Sequence, residues 1–113
     1  MASLNYHDEL NHAREARHNG LEGRARVCAR RAAGTAFAVY FKDPLSQSGK
    51  SAMDYLQMAK SDHRLPGEIQ HAAERLTHQV NADHHLPDGF DLIGDAETII
   101  KFIDQQKIDR SLP

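Results

Sequence analysis

Apolar residues recur along this chain at helical spacing in five separate stretches, and no useful length shows the strict alternation of a half-buried strand. From Leu4 to Asn19, Tyr6, Leu10, Ala13 and Arg17 fall on one narrow stripe, and Asn19-Gly20 supplies a stop, because glycine takes the left-handed conformation that closes a helix. From Glu22 to about Phe41, one face carries Ala25, Cys28, Ala29, Ala32, Ala36 and Val39, widened by Ala33 and Tyr40. Side chains this small let a neighbouring helix come close. Asp43-Pro44 ends the stretch, since the residue before proline is pushed out of the α region. Lys42 to Lys50 reads as a loop. Ser51 and Asp54 have the spacing of a capping box and open a short third helix, to about Ser61, on Ala52, Tyr55, Leu56 and Ala59.

Pro66 suits the first turn of a fourth helix, where its missing N–H costs nothing; that helix is expected to run to about Asn81 on Ile69, Ala72, Ala73, Leu76 and Val80. His84 to Gly94 reads as a loop, and Asp95 is expected to cap a fifth helix on Ala96, Ile99, Ile100 and Ile103, with a frayed tail from Asp109 to Pro113. Short connections favour antiparallel neighbours. The expected architecture is one domain over 1–113, all-α, an antiparallel up-and-down four-helix bundle with the short helix as an elaboration of the central connection. Its expected core holds Leu10, Ala25, Ala29, Ala32, Ala36, Ile69, Leu76, Ile99 and Ile103.

Composition narrows this picture. The chain has 113 residues, which suits one domain. Tryptophan is absent and aromatics are only 6%, so the core must rest on Ala, Leu, Ile and Val. A single cysteine, Cys28, excludes an internal disulfide and fits a reducing cytosol. The polar, acidic first residues do not resemble a signal peptide, and the apolar runs fall far short of the roughly 20 residues that cross a bilayer, so a cytoplasmic protein without a membrane partner is expected. The formal net charge of -2 means that a nucleic-acid partner would need a local basic patch.

Candidate chemistry lies in the histidines, the cysteine and the arginines. Glu-x-x-His occurs at Glu9/His12, Glu15/His18 and Glu68/His71, a spacing that chelates metal when it faces a bundle interior. All three pairs lie off the apolar stripes and read as solvated faces. His71, Glu74 and His78 share the outer side of the fourth helix as a candidate surface metal site, since imidazole suits Zn, Cu and Ni, and His84-His85 are further candidate ligands. Cys28 reads as a small buried hydrophobe, or as a thiol activated by Arg24 and Arg31. The arginines Arg14, Arg17, Arg24, Arg26, Arg30 and Arg31 are the most distinctive cluster. Either they lie along the rim and pair with acids such as Glu15, Glu22, Glu74 or Glu97, or Arg24, Arg26, Arg30 and Arg31 form a groove for a phosphate-bearing partner. No glycine-rich phosphate loop, no cofactor motif and no aromatic interleaving for base stacking accompanies them. Phe37 and Phe41, beyond the main face of the second helix, leave apolar surface for a two-fold homodimer.

The stretch from Gly20 through Gly-Arg-Ala-Arg-Val-Cys-Ala-Arg-Arg-Ala-Ala-Gly-Thr-Ala to Phe37, after a helix with Ala13 and Ala16, resembles the first helical hairpin of HEPN domains; Asp95 to Ile103 resembles their last helix. The resemblance covers about half of the chain. It implies a small helical bundle, usually homodimeric, often paired with a nucleotidyltransferase-like protein, and in some members a metal-independent ribonuclease with Arg-x(4–6)-His. The match here is Arg64 with His71. The polar residue that usually follows the arginine is absent, as is a second Arg-His pair. The expected function is therefore a non-catalytic HEPN-like module that binds a protein or nucleotide-containing partner through its arginines. The alternatives are a ribonuclease using Arg64 and His71, with RNA as substrate, and a His-rich metal-binding bundle.

Overall fold

A computed structural model describes residues 5–41, 49–78 and 91–111, with side chains as far as 106. Among these residues the chain is all-helical, with five helices and no strand: α1 (Tyr6–His18), α2 (Glu22–Tyr40), α3 (Ala52–Lys60), α4 (Gly67–Thr77) and α5 (Leu92–Ser111). Val80, His84 and His85, and most of the Lys42–Lys50 loop, lie outside the described residues.

Local chemistry sets the helix ends. The Asn5 side chain accepts the Asp8 N–H at 2.9 Å and starts α1. At its other end Gly20 takes φ +77, which lets the Leu21 N–H reach back to the Ala16 carbonyl at 2.8 Å and the Gly20 N–H to Arg17 at 3.0 Å. Ser51 and Asp54 form the expected reciprocal box on α3, with bonds of 3.2 and 2.8 Å. The expected cap of α5 is corrected. The helix starts almost a turn before Asp95, at Leu92, and it is the Asp91 carboxylate that accepts the Gly94 N–H, at 3.2 Å. Asp95 lies inside the helix, 8% exposed, gripped by the Arg75 guanidinium of α4 through bonds of 2.9 to 3.1 Å. At the far end, the residues expected to fray stay helical to Ser111.

α2 is the centre of the molecule and touches each of the other four helices; α1 also packs on α5, and α4 packs on both α3 and α5. Every expected core residue is buried. The large side chains around the alanine-rich α2 come mostly from its neighbours: Tyr55 and Leu56 from α3, Ile69 and Leu76 from α4, Leu92, Ile99 and Ile103 from α5. One residue of the expected face is misplaced. Val39 is 44% exposed, and Phe37 and Ala38 take the buried positions instead. Phe37, read from the sequence as spare surface for a dimer, is thus consumed inside the chain.

Candidate binding groove

The six arginines of α1 and α2 divide by what they touch. Arg14 donates to Glu97 on α5 and to Asn11; Arg17 donates to Glu22 at 3.0 Å and to Asp91 at 2.9 Å, tying together the ends of α1, α2 and α5. Arg30 is half-buried and crosses to the end of α4, where its Nε donates to the Leu76 carbonyl at 2.9 Å and its Nη2 to that of His78 at 2.6 Å. These are carbonyls that a helix end leaves without an internal partner, and a cation there also meets the negative end of the helix dipole. Burial, then the neighbouring charge of Arg26, lowers the Arg30 pKa. Arg30 therefore belongs to the fold and is not free to serve as the binding residue the sequence suggests. Arg24, Arg26 and Arg31 have no hydrogen-bond or ion-pair partner among the described residues. Arg26 is half-buried, whereas Arg24 and Arg31 are exposed.

Arg24 and Arg31 line one wall of a groove of about 360 Å³ between α1 and α2. Leu21 and Cys28 complete that wall, and Glu9, His12, Glu15 and Ala16 of α1 face it. Two turns of helix separate Arg24 from Arg31, which puts both on one side of α2 with Cys28 between them. Glu9 is only 6% exposed and has no side-chain hydrogen bond or ion pair among the described residues. Its burial overturns the solvated-face reading for Glu9, while His12 stays exposed as expected. The stripe of α1 that faces inward runs through Tyr6, Glu9, Leu10, Ala13 and Ala16, while Arg17 stays exposed. The signal that could have revealed Glu9 is Ala16, which extends the 6-9-13 spacing as well as Arg17 extends 6-10-13.

Cys28 is buried in this groove. Burial pushes its thiol above the ordinary value of 9.0 and the Glu9 carboxylate adds to the rise; Arg31 and Arg24 act the other way and do not reverse it. The arginines thus do not produce the activated thiolate that the sequence left open.

The remaining candidates lie elsewhere. Arg64 stands exposed between α3 and α4, its Nε and Nη2 both bound to Asp62, at 3.0 and 2.8 Å. His71 and Glu74 are exposed on α4. His78 is exposed too, but the helix ends at Thr77 and not near Asn81 as expected, so His78 stands beyond it in extended backbone and does not continue its outer side. Among the described residues no three His, Cys, Asp or Glu side chains come together to hold a metal ion, and no helix is long and apolar enough to cross a membrane. No family model matches this chain, and no curated protein or solved structure matches it.

Proposed function

We propose that this chain is a non-catalytic, HEPN-like helical module that binds an anionic group of a protein or nucleotide-containing partner through Arg24 and Arg31, with Arg26 on the opposite edge of α2. The observation that carries this reading is the division among the arginines. Arg14, Arg17 and Arg30 are engaged within the fold, whereas Arg24 and Arg31 stand exposed, without partners among the described residues, on one wall of a groove. Guanidinium groups in that state suit a phosphate or carboxylate, which they grip through paired N–H donors.

In the same reading, α1, α2, α4 and α5 form an up-and-down four-helix bundle with α3 as the extra element. The module works in the cytoplasm as a homodimer, whose apolar contacts are Leu21, Val27, Val39 and Met58, the large apolar side chains that stay exposed. A nucleotidyltransferase-like protein and RNA are the partners that the resemblance implies.

The test uses the full chain with a short single-stranded RNA and with inorganic phosphate as probes, in EDTA. Binding should weaken by about tenfold or more, equivalent to about 1.4 kcal/mol, when Arg24 and Arg31 are both changed to Glu, with the melting temperature held. Unchanged binding would overturn the reading. So would cleavage of the RNA that disappears in His71→Ala, which would establish the Arg64–His71 ribonuclease instead.

A further inference from the structure

The groove holds more than an anion site. An unpaired carboxylate buried against a helix neighbour is unfavourable, because it gives up water without gaining a partner. Glu9 is in that state: it is more than nine-tenths buried, its carboxylate has no side-chain partner among the described residues, and it lines the groove. No side-chain oxygen among the described residues is both fully sealed and without a partner, so the Glu9 carboxylate keeps some opening to the groove. Glu9, Arg24 and Arg31 line the same groove as Cys28, which brings the negative group and both positive groups to one cleft between α1 and α2. Glu15 and His12 stand on the Glu9 side of the groove.

We infer that the groove binds a small zwitterion, a molecule with an ammonium or guanidinium donor beside a phosphate, phosphonate or carboxylate. Its donor meets Glu9 at the α1 wall, and its anion meets Arg24 and Arg31 on α2. The inference rests on the anion reading of Arg24 and Arg31 and adds the part that Glu9 supplies. Two features favour a dipolar occupant over a simple anion. An anion alone would lie beside the Glu9 and Glu15 carboxylates and be repelled by both. A donor that reaches Glu9 replaces the hydrogen bonds this carboxylate lost on leaving water. A volume of about 360 Å³ leaves room for a molecule of amino-acid size.

The experiment is a calorimetric titration of the full chain with a matched set: 2-aminoethylphosphonate, which has both charges, ethylphosphonate, which has only the anion, and ethylamine, which has only the cation. The zwitterion should bind about tenfold or more tightly than either half. Glu9→Gln should reduce it to the level of ethylphosphonate and leave ethylphosphonate itself as tight or tighter. Changing Arg24 and Arg31 to Gln should weaken both phosphonates together. The unliganded Glu9→Gln protein should melt no lower than the parent, because a neutral amide is easier to bury than an unpaired carboxylate. If ethylphosphonate binds and the zwitterion gains nothing over it, or keeps its gain in Glu9→Gln, the inference falls and the anion reading stands. If neither phosphonate binds, the anion reading falls with it. A large drop in melting temperature on Glu9→Gln would make Glu9 a structural residue and overturn the proposal as well.

Discussion

Both halves of α2 are built on small residues, but the first carries every charge of the helix and the second none, and their surroundings are opposite. From Glu22 to Arg31 only Ala25, Cys28 and Ala29 are buried, and Gly23, Arg24, Val27 and Arg31 face outward. From Ala32 to Ala38 only Thr35 escapes burial. The same small residues serve as one apolar face of an exposed helix in the first half and as an all-round packing surface in the second. The difference lies in the charges of the first half and in the neighbours. The start of α3 presses against the second half at Gly34, whereas the first half keeps the open groove beside α1. Alanine content therefore says that a helix can be approached closely, and does not say from how many sides.

Glycine substitutions are the strongest way to break that comparison. A Cβ at Gly34 would sit 2.6 Å from the Ala52 Cα and 2.8 Å from its carbonyl oxygen, and backbone cannot swing aside. Gly34→Ala should destabilise by about 1–3 kcal/mol through overpacking, a drop on the order of 4–8 °C in melting temperature for each kcal/mol. A Cβ at Gly23 meets nothing within 4 Å. Gly23→Ala should therefore stabilise by about 0.5–1 kcal/mol from helix propensity alone. Thermal melts that moved the same way for both variants would remove the distinction between the halves.

The arginines give the next largest contrast. Arg30→Met leaves two carbonyls at the end of α4 without their charged donor and should cost about 1–3 kcal/mol. Arg24→Met removes a side chain with no partner among the described residues, and urea titration should place it within about 0.5 kcal/mol of the parent. Equal losses would mean that Arg24 is also part of the fold.

Much of this contrast was legible in the sequence, and some was not. Periodicity placed five helices and most core positions correctly, Val39 and the Arg17 end of the α1 stripe excepted, because burial of an apolar stripe dominates helix packing. The glycine stop at Gly20 and the box at Ser51 and Asp54 were legible because they are local. The start of α5 was not, because Asp91 and Asp95 both offer a capping carboxylate, and only the pairing of Asp95 with Arg75 decides between them. Arg30 was legible as basic but not as a cap on α4, since its acceptors are main-chain carbonyls more than forty positions away. Glu9 was missed because the α1 stripe extends equally well through Ala16 or Arg17, and only the position of α2 makes the choice. The groove itself was half legible: its arginines stand out by composition, while its buried carboxylate is a property of packing.

Cys28 reports on the groove from within. Its thiol is held above 9.0 in the folded chain, mainly by burial and then by Glu9. A raised value favours the protonated folded state, so this contribution is present below pH 9.0 and is lost as pH rises through the folded value. Stability should therefore fall more steeply above pH 9 in the parent than in Cys28→Ala, and alkylation at neutral pH should be slow in native buffer and fast in denaturant. Rapid native alkylation at pH 7 would show an activated thiolate and would contradict the burial of this wall.

The smallest expected effect is at Asp91, where the ends of α1, α2 and α5 meet. The Arg17 guanidinium, at 2.9 Å, holds the Asp91 carboxyl below its ordinary value of 3.8, helped by the N–H groups of Gly94 and Ile93. A lowered value favours the ionised folded state, so the stability it gives is present above pH 3.8 and is lost as pH falls through the folded value. Because the Asp91 side chain is 62% exposed, solvent and salt screen the pair and its worth should stay under about 1 kcal/mol. Asp91→Asn isolates it, since asparagine caps a helix about as well as aspartate but has no charge for Arg17. The variant should match the parent in acid below the folded value, fall slightly behind it at pH 7 in low salt, and regain the difference as salt is added. No deficit at pH 7 in low salt would show that Asp91 acts through its cap alone and that its pairing with Arg17 adds nothing.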